Sequence, residues 1–467
     1  MSAVAPVPTL SRPAPSRGWV LGLAAGGVVV ATAAAVALGP VALALPVAAL
    51  LAVALVREPL VLYVAFLYIG VFKDEPLVSS SPVDPTLLLV VLLAGVCAHR
   101  LATGRVKRVP RPFAAILALL VVALLLGLLW TPAPDYGGDK ALRFIVLTLP
   151  AALAPFFLVE DRRDLTRLLG LTAVAAVLGA VFVQVFGSTA VTDQSGDRLV
   201  FGDVGNTILT SRFLLNGAII LLLAALLGVW PRWRAPAVIA GAVLVAIAAS
   251  IGSRGPVIAL VLALVLTVVA VAVREPRRLG HLVVLVAAGI ALFPLVSLPT
   301  ESRARLQTAT RDPIGTLEFD ERGPLYQRAL DLSAAHPLFG VGTGGYEASG
   351  NTLEGAGESY PHNLFLEASS EFGIPVALLL GASVVALLVA LLPRAWIAAN
   401  PVEHSLMQLV VGLLLINLIA AQFTGDFNDN RTFWAAFGLA WLVAYHRLGG
   451  PSDQSPRHSA PVALSRR

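Results

Sequence analysis

Charge is scarce in this chain of 467 residues, and that scarcity excludes most soluble proteins. Only 13% of the residues are charged, whereas a soluble domain carries roughly 25%. Another 57% are apolar, and they are collected in long blocks, which is typical of a protein embedded in a bilayer. The composition therefore predicts a polytopic membrane protein.

Cysteine is almost absent, and the usual metal-ligand patterns are missing. The single cysteine, Cys97, lies inside an apolar block, which excludes a disulfide framework. No His, Cys or Asp cluster has metal-ligand spacing, so we predict neither a metal site nor a cofactor. The net charge of +5 does not indicate nucleic-acid binding, because the basic residues lie in short segments between apolar blocks.

The apolar blocks predict an all-α fold, a polytopic bundle of twelve to fourteen transmembrane helices with one large extracytoplasmic loop that contains short helices. The sixth candidate contains Pro150 and Pro155, which should kink it. The candidate spans are 19–38, 40–56, 59–72, 84–98, 113–130, 142–158, 166–187, 211–229, 235–251, 255–273, 280–298, 373–392, 404–424 and 432–447.

Domain boundaries follow from the same blocks. We expect a cytoplasmic N-terminal tail (1–18), N-terminal transmembrane helices (19–298), a large extracytoplasmic loop (299–372), C-terminal transmembrane helices (373–447) and a disordered cytoplasmic tail (448–467). The first apolar run is longer than the apolar part of a signal peptide, so we interpret it as an uncleaved helix. No internal repeat of the transporter kind is present.

Basic residues set the orientation. If the N-terminus is cytoplasmic and the spans alternate, most arginines and lysines of the short segments collect on the cytoplasmic side. This pattern predicts that both termini are cytoplasmic and that the loop is extracytoplasmic.

The large loop has the composition of a soluble segment. Residues 324–336 predict an amphipathic helix with Leu325, Ala329, Leu330 and Leu332 on one side, and residues 362–372 predict a second short helix. The glycine-rich turn between them is not a phosphate loop, because no lysine follows it and no strand precedes it.

Two arginines stand at external helix ends, against the positive-inside bias. Arg254 lies in a compact Ser-Arg-Gly-Pro turn, where its planar guanidinium could bind a phosphate with two hydrogen bonds. Arg212 lies where the eighth span begins. For both, the alternative is a solvated or lipid-headgroup contact.

His362 follows Pro361 at the start of the second loop helix, next to Asn363. A histidine can take a proton from an attacking hydroxyl near neutral pH, although a histidine at a helix start is more often structural. We predict that His362 closes the loop near the membrane surface, beside the two arginines.

A further arginine, Arg322, precedes the amphipathic helix. A ligand role and a salt bridge with a neighbouring carboxylate are equally good interpretations. Asp426, Asp429 and Arg431, between the last two spans, predict a solvated turn.

The order of these features carries a family resemblance. An arginine at an external helix end is followed by Ser253-Arg254-Gly255, and the loop then carries His336-Pro-Leu-Phe-Gly-Val-Gly-Thr-Gly-Gly345, His362-Asn363 and Glu371-Phe372-Gly373. This pattern resembles the O-antigen ligase and O-antigen polymerase superfamily of bacterial membrane glycosyltransferases. The resemblance covers roughly residues 200–390.

The resemblance implies a metal-independent glycosyltransferase of the cytoplasmic membrane. Its donor would be a glycan on a polyprenyl diphosphate, and its acceptor a hydroxyl of a glycan, lipid or protein at the outer face. By the same resemblance, His362 would match the catalytic histidine, Arg254 and Arg212 the diphosphate-binding arginines, and Arg322 and Asn363 further substrate-binding positions. Other polysaccharide assembly proteins are expected as partners, and nucleic acid is not.

Alternatives remain open at the level of sequence. Nothing separates a ligase from a polymerase, and the product could be a capsule, exopolysaccharide, cell-wall polymer or protein glycan. A lipid-linked glycan flippase would be expected to carry charges within its spans and repeat symmetry. A non-catalytic assembly scaffold is a third interpretation.

Overall fold

A computed structural model describes residues 53–73, 84–186, 188–192, 196–200, 207–251, 253–272, 322–349, 360–397, 401–423 and 426–448. The chain divides into two compact units, Met1–Glu58 and Pro59–Arg467, and the candidate site residues all lie in the second unit. The predicted spans 19–38 and 280–298, and most of 40–56, lie outside the described residues.

The second unit is a bundle of apolar helices, which confirms the predicted all-α polytopic fold. Seven helical stretches in the described ranges are long and apolar enough to cross a membrane. They are Pro85–Ala102, Pro134–Leu158, Arg162–Val185, Thr207–Leu227, Pro231–Ser250, Ile374–Ala395 and Pro401–Ala420. Three shorter apolar helices are Pro59–Phe72, Arg111–Gly127 and Gly255–Ala270.

The first half of the unit comprises α1 Pro59–Tyr68, α2 Pro85–Ala102, α3 Arg111–Gly127, α4 Pro134–Arg143, α5 Leu149–Leu158, α6 Arg162–Phe186, α7 Thr207–Leu227, α8 Arg234–Ser250 and α9 Arg254–Ala272. Between α6 and α7 the strands β1 Ser188–Thr192 and β2 Gly196–Val200 form an antiparallel hairpin, which the sequence did not predict. The second half comprises α10 Gly323–Ala335, α11 Gly345–Ala348, α12 Leu364–Phe372, α13 Ile374–Ile397, α14 Pro401–Ala420 and α15 Arg431–Tyr445.

The sixth predicted span begins eight residues earlier than expected, at Pro134 instead of residue 142. Proline suits the first turn of a helix, where its missing N–H would be unpaired anyway. A π-helical turn, Phe144–Thr148, separates α4 from α5 and precedes Pro150, which cannot donate a helical hydrogen bond. The longer helix brings Lys140 into the bundle.

Helix α7 lies at the centre of the bundle. It packs against α6, α8, α9 and α14, and its residues are buried almost without interruption from Thr210 to Leu227. A helix that is apolar on every side is expected to be enclosed by others. Gly217 permits the close approach, since a Cβ there would lie 2.2 Å from the Cβ of Ala176 on α6.

Contacts between turns divide into two sets, one at each end of the bundle. At one end, called the site end, residues 421–423 and 426–432 contact α7, α10 and α12. At the opposite end, Arg100 pairs with Glu160 at 2.7 Å and Arg162 with Glu403 at 2.8 Å. Each contact joins segments that the alternation of basic residues had assigned to the same side.

The amphipathic loop helix is confirmed as α10, with a different buried face. Leu325, Ala329 and Ser333 are buried at a spacing of four residues. Leu330, predicted on the buried side, is exposed. The hydroxyl groups of Ser333 and Ser369 lie 2.8 Å apart and join α10 to α12. The buried face of α10 therefore contains a serine, whereas the sequence predicted leucines there.

Candidate functional site

Arg212 lies in the second turn of α7, because that helix begins at Thr207, four residues before the predicted span. Its side chain is only 5% exposed. Nη1 donates to Oδ1 of Asn430 at 2.6 Å, and Nη2 donates to Oγ1 of Thr432 at 3.1 Å. A buried guanidinium requires such partners, so Arg212 is held in a fixed position at the site end.

The Ser-Arg-Gly-Pro turn lies beside Arg212. Arg254 is the first residue of α9, and Ser253 before it is buried. Pro256, two residues further on, lines a narrow packing gap together with Arg212 and Asn216. The structure therefore brings the beginning of α9 close to the Arg212 side chain. The shared role of Arg212 and Arg254 stays a prediction.

His362 has an unusual backbone conformation. Its φ is 55°, and among the described residues it is the only one with a side chain in the left-handed region. The residue is 7% exposed, and its ring lies 4.5 Å from the Tyr360 ring in an edge-on arrangement. Such conformations cost free energy and occur frequently at functional sites. The imidazole is therefore a strong candidate for a chemical role.

Asn363 caps the helix that follows His362. Its Oδ1 accepts hydrogen bonds from the amides of Phe365 at 3.1 Å and Leu366 at 3.0 Å, and its Nδ2 donates to the carbonyl of Gln422 at 3.3 Å. This is ordinary N-cap geometry. Both polar ends of the side chain thus serve to position α12.

Arg322 precedes α10 and donates to the carbonyl of Phe423. The same short segment receives two more bonds from the loop, from the Tyr326 hydroxyl to Gln422 and from the Leu364 amide to Ala421, both at 3.0 Å. Because α14 ends at Ala420, these carbonyls belong to a helix C-terminus that lacks intrahelical partners and attracts cations. The loop therefore docks on the end of α14.

The turn between α14 and α15 is buried, so the predicted solvated turn is wrong. Asp426 and Arg431 are 7% and 8% exposed, and Asn430 is fully buried. Among the described residues 426–431 of this turn, only the Asp429 side chain is largely exposed, at 59%. Asn430 explains the burial, since its Nδ2 donates to the Asp426 carbonyl at 2.6 Å while its Oδ1 binds Arg212. Burial raises the pKa of Asp426 to about 7.

A buried ion cluster lies next to this turn, and the sequence did not reveal it. Lys140 of α4 pairs with Oε1 of Glu367 and lies 2.7 Å from Oε2 of Glu371, both on α12. All three side chains are fully buried. The spacing of four residues between the two glutamates places them on one helix face, which was the available signal. Burial raises the pKa of Glu367 to about 8, and Lys140 opposes that rise.

The glycine-rich turn connects α12 to α3 through backbone contacts. The amides of Val341 and Gly342 donate to the carbonyls of Ser370 and Glu371, and the amide of Thr343 donates to Gly127 at 3.2 Å. At Gly342, φ is 91° and a Cβ would lie 2.7 Å from the Gly127 oxygen. Glycine therefore serves close packing here.

The described residues were also compared with the requirements of a metal site. Within the described ranges, no group of three or more His, Cys, Asp or Glu residues could hold a metal ion. The cluster around Lys140 is already neutralised in part by that ammonium group.

The fold and this site define a class: a multi-pass membrane protein with buried polar and charged residues at one end of a helical bundle. A comparison of sequences adds a family similarity over part of the chain. Residues 248–381 match the family model described as O-Antigen ligase, which confirms the resemblance. The matched segment contains Arg254, Arg322 and His362, whereas Arg212 and Lys140 lie before it.

Two other comparisons add little. A search of curated proteins finds no match. A chain from a solved structure described as "Structural coordination of polymerization and crosslinking by a peptidoglycan synthase complex" is similar at 20% identity and a TM-score of 0.39. The similarity covers 70% of this chain and 96% of that one. The similarity to the O-antigen ligase family therefore rests on the matched segment, residues 248–381.

Proposed function

We propose that this protein is a membrane glycosyltransferase of cell-envelope biogenesis. It would transfer or polymerise a glycan from a polyprenyl-diphosphate carrier onto an acceptor hydroxyl at the outer face of the cytoplasmic membrane. The reaction uses no nucleotide sugar. In it, the bond between the anomeric carbon and the diphosphate oxygen breaks, and a bond to the acceptor oxygen forms.

The observation that carries this proposal is a set of contacts made by the segment that follows α14 and the beginning of α15. These residues bind the side chains of Arg212 and Arg322, and also Asn363, which is next to His362. Asn430 and Thr432 hold Arg212, Phe423 holds Arg322, and Gln422 holds the residue next to His362. Residues distant in sequence thus share one end of the bundle. A reaction between a lipid-linked donor and a second substrate requires such a convergence at the membrane surface.

Arg212 and Arg254 would stabilise the leaving group. Negative charge builds on the diphosphate oxygens as the glycosidic bond breaks, and positioned guanidinium groups at a boundary of low dielectric constant stabilise that charge effectively. Arg322 would assist from the loop. Because Arg212 is fixed by two hydrogen bonds, it needs little reorganisation as the charge develops.

His362 would accept the proton of the acceptor hydroxyl. Its imidazole can act as a base near neutral pH, and the left-handed backbone is held between Pro361 and the cap of α12. A single displacement inverts the configuration of the anomeric carbon. The leaving polyprenyl diphosphate would remain in the bilayer through its apolar tail.

The test is transfer by purified protein in nanodiscs supplied with a short glycan on polyprenyl diphosphate and candidate acceptors. We expect release of polyprenyl diphosphate together with a larger glycoconjugate. His362→Ala should lower the rate by roughly a hundredfold to ten-thousandfold, the usual contribution of a general base. His336→Ala is the matched control, because His336 is an exposed histidine of the same loop.

The outcomes separate the alternatives. A ladder of products indicates a polymerase, and a single adduct indicates a ligase. Equal loss of transfer in the His336 and His362 variants contradicts the catalytic role of His362. Binding of the donor without cleavage by the wild-type protein, with the native substrate supplied, contradicts the transferase and favours a flippase or a scaffold.

A further inference from the structure

The buried carboxylate of Glu367 joins two parts of the site end. Its Oε1 pairs with Lys140 of α4, and its Oε2 accepts a hydrogen bond from the amide of Phe427 at 2.9 Å. Glu367 belongs to the helix that begins just after His362, and Phe427 belongs to the turn that holds Arg212. The Glu367 side chain thus connects the helix that follows His362 to the turn that binds Arg212.

An apolar side chain at position 367 could not replace this connection, because both groups that Glu367 contacts are polar and buried. The Phe427 amide is buried and needs an acceptor, and Lys140 needs a negative charge because it is fully buried. A carboxylate serves both, since one oxygen lies in the ion pair with Lys140 and the other accepts the hydrogen bond from the Phe427 amide. The hydrogen bond has direction, so it restrains the position of the turn relative to α12.

Glu371 provides a natural comparison. It also contacts Lys140, through Oε2 at 2.7 Å. Its Oε1 has no hydrogen bond among the described residues. Glu371 therefore shares the burial, the helix and the cation with Glu367, but it does not contact the turn.

We propose that Glu367, anchored by Lys140, is a positioning residue that sets His362 and Arg212 relative to one another. This inference rests on the proposed transferase function for its kinetic consequences. The geometric part does not depend on that function. The role adds two residues, Lys140 and Glu367, to those that the sequence singled out.

The test compares Glu367→Gln with Glu371→Gln. A glutamine at 367 has one acceptor and one donor end, so it must turn its NH₂ group toward either Lys140 or the Phe427 amide. A glutamine at 371 can keep its oxygen on Lys140. The two variants make the same substitution in the same cluster, and only the first breaks the link to the turn.

Two readouts are measured on the full chain in nanodiscs. Hydrogen exchange of the 426–431 turn should become faster in Glu367→Gln than in Glu371→Gln. In the transfer assay, kcat of Glu367→Gln should fall by roughly a hundredfold, the scale of an ångström misplacement, while the KM for the donor changes little. Glu371→Gln should lose less.

Equal exchange of the turn in the two variants overturns the positioning role, whatever their activity. Equal loss of kcat, or a loss that appears in KM alone, overturns the kinetic part. If the wild-type protein transfers no glycan, the proposed function fails while the exchange comparison still decides the geometric role. If Glu367→Gln does not fold, the same comparison is made with Glu367→Asp, whose shorter side chain cannot span both partners.

Discussion

The two ends of the bundle hold their charges in different ways. At the opposite end, the Arg100 and Glu160 side chains are 22% and 48% exposed in their ion pair. At the site end, Lys140 and its two glutamates are not exposed at all. Exposed pairs contribute little and cost little, whereas a buried cluster carries a large desolvation cost. The difference shows that the charges of the site end depend on their partners far more than those of the Arg100–Glu160 pair do.

The largest expected effect comes from removing one cation at each end. Lys140→Met leaves two buried carboxylates without their partner and should destabilise the protein by about 3–5 kcal/mol. Arg100→Met removes a partly exposed pair and should cost less than about 1 kcal/mol. Thermal unfolding of both variants in the same nanodiscs measures the difference. Similar losses would contradict the contrast between the ends.

Substituting one glycine at each end of the bundle compares how tightly the two ends are packed. Gly340 and Gly104 have φ of 64° and 69°, so alanine costs each roughly 1–2 kcal/mol of backbone strain. A Cβ at Gly340 would also lie 2.3 Å from the Glu371 backbone, whereas at Gly104 nothing lies within 4 Å. We expect Gly340→Ala to lose about 1–3 kcal/mol more than Gly104→Ala in the same unfolding measurement. Equal losses would mean that the turn adjusts without cost.

A third comparison concerns the dependence of stability on pH at the site end. Burial raises the pKa of Glu367 from 4.5 to about 8 in the folded protein, in a cluster with Lys140, Glu371 and Asp426. When folding raises the pKa of an acid, the acid stabilises the folded state at pH values below its pKa in the unfolded chain. This stabilisation is lost as the pH rises through its pKa in the folded protein. Stability should therefore decline between about pH 4.5 and 8.

Glu367→Gln is the control for this dependence, because a glutamine does not titrate. The unfolding midpoint of the wild-type protein, measured from about pH 5 to 9, should fall more steeply than that of the variant. Parallel curves for the two proteins would show that Glu367 is already ionised at the acidic end of this range.

Much of the fold was predictable because hydropathy is a local property. The predicted span 59–72 coincides with α1 and the short 3₁₀ helix that follows it. The sixth span was wrong at its beginning, since the polar residues from Pro134 to Lys140 suggested a loop. Lys140 is buried against Glu367 and Glu371 of α12, and Gly137 packs against Thr343 of the glycine-rich turn. No local sequence pattern shows these two contacts.

The candidate site was predictable in part. The order of arginines and His362 carried a family resemblance that the sequence comparison confirmed over residues 248–381. The buried turn was missed, because Asp426 and Arg431 have the composition of a solvated loop. Lys140 was missed as well, since a lysine near a pair of glycines suggests a surface.

The sequence by itself determined which of the described segments form long apolar helices, since hydropathy is a property of each block regardless of its neighbours. It also determined the order of the residues that carry the family pattern. Only the tertiary structure decided which polar groups are buried together. Lys140 and Glu371 are separated by 231 residues, and Arg212 and Asn430 by 218. A buried charge is tolerated only beside its partner, and the packing of the helices supplies that partner.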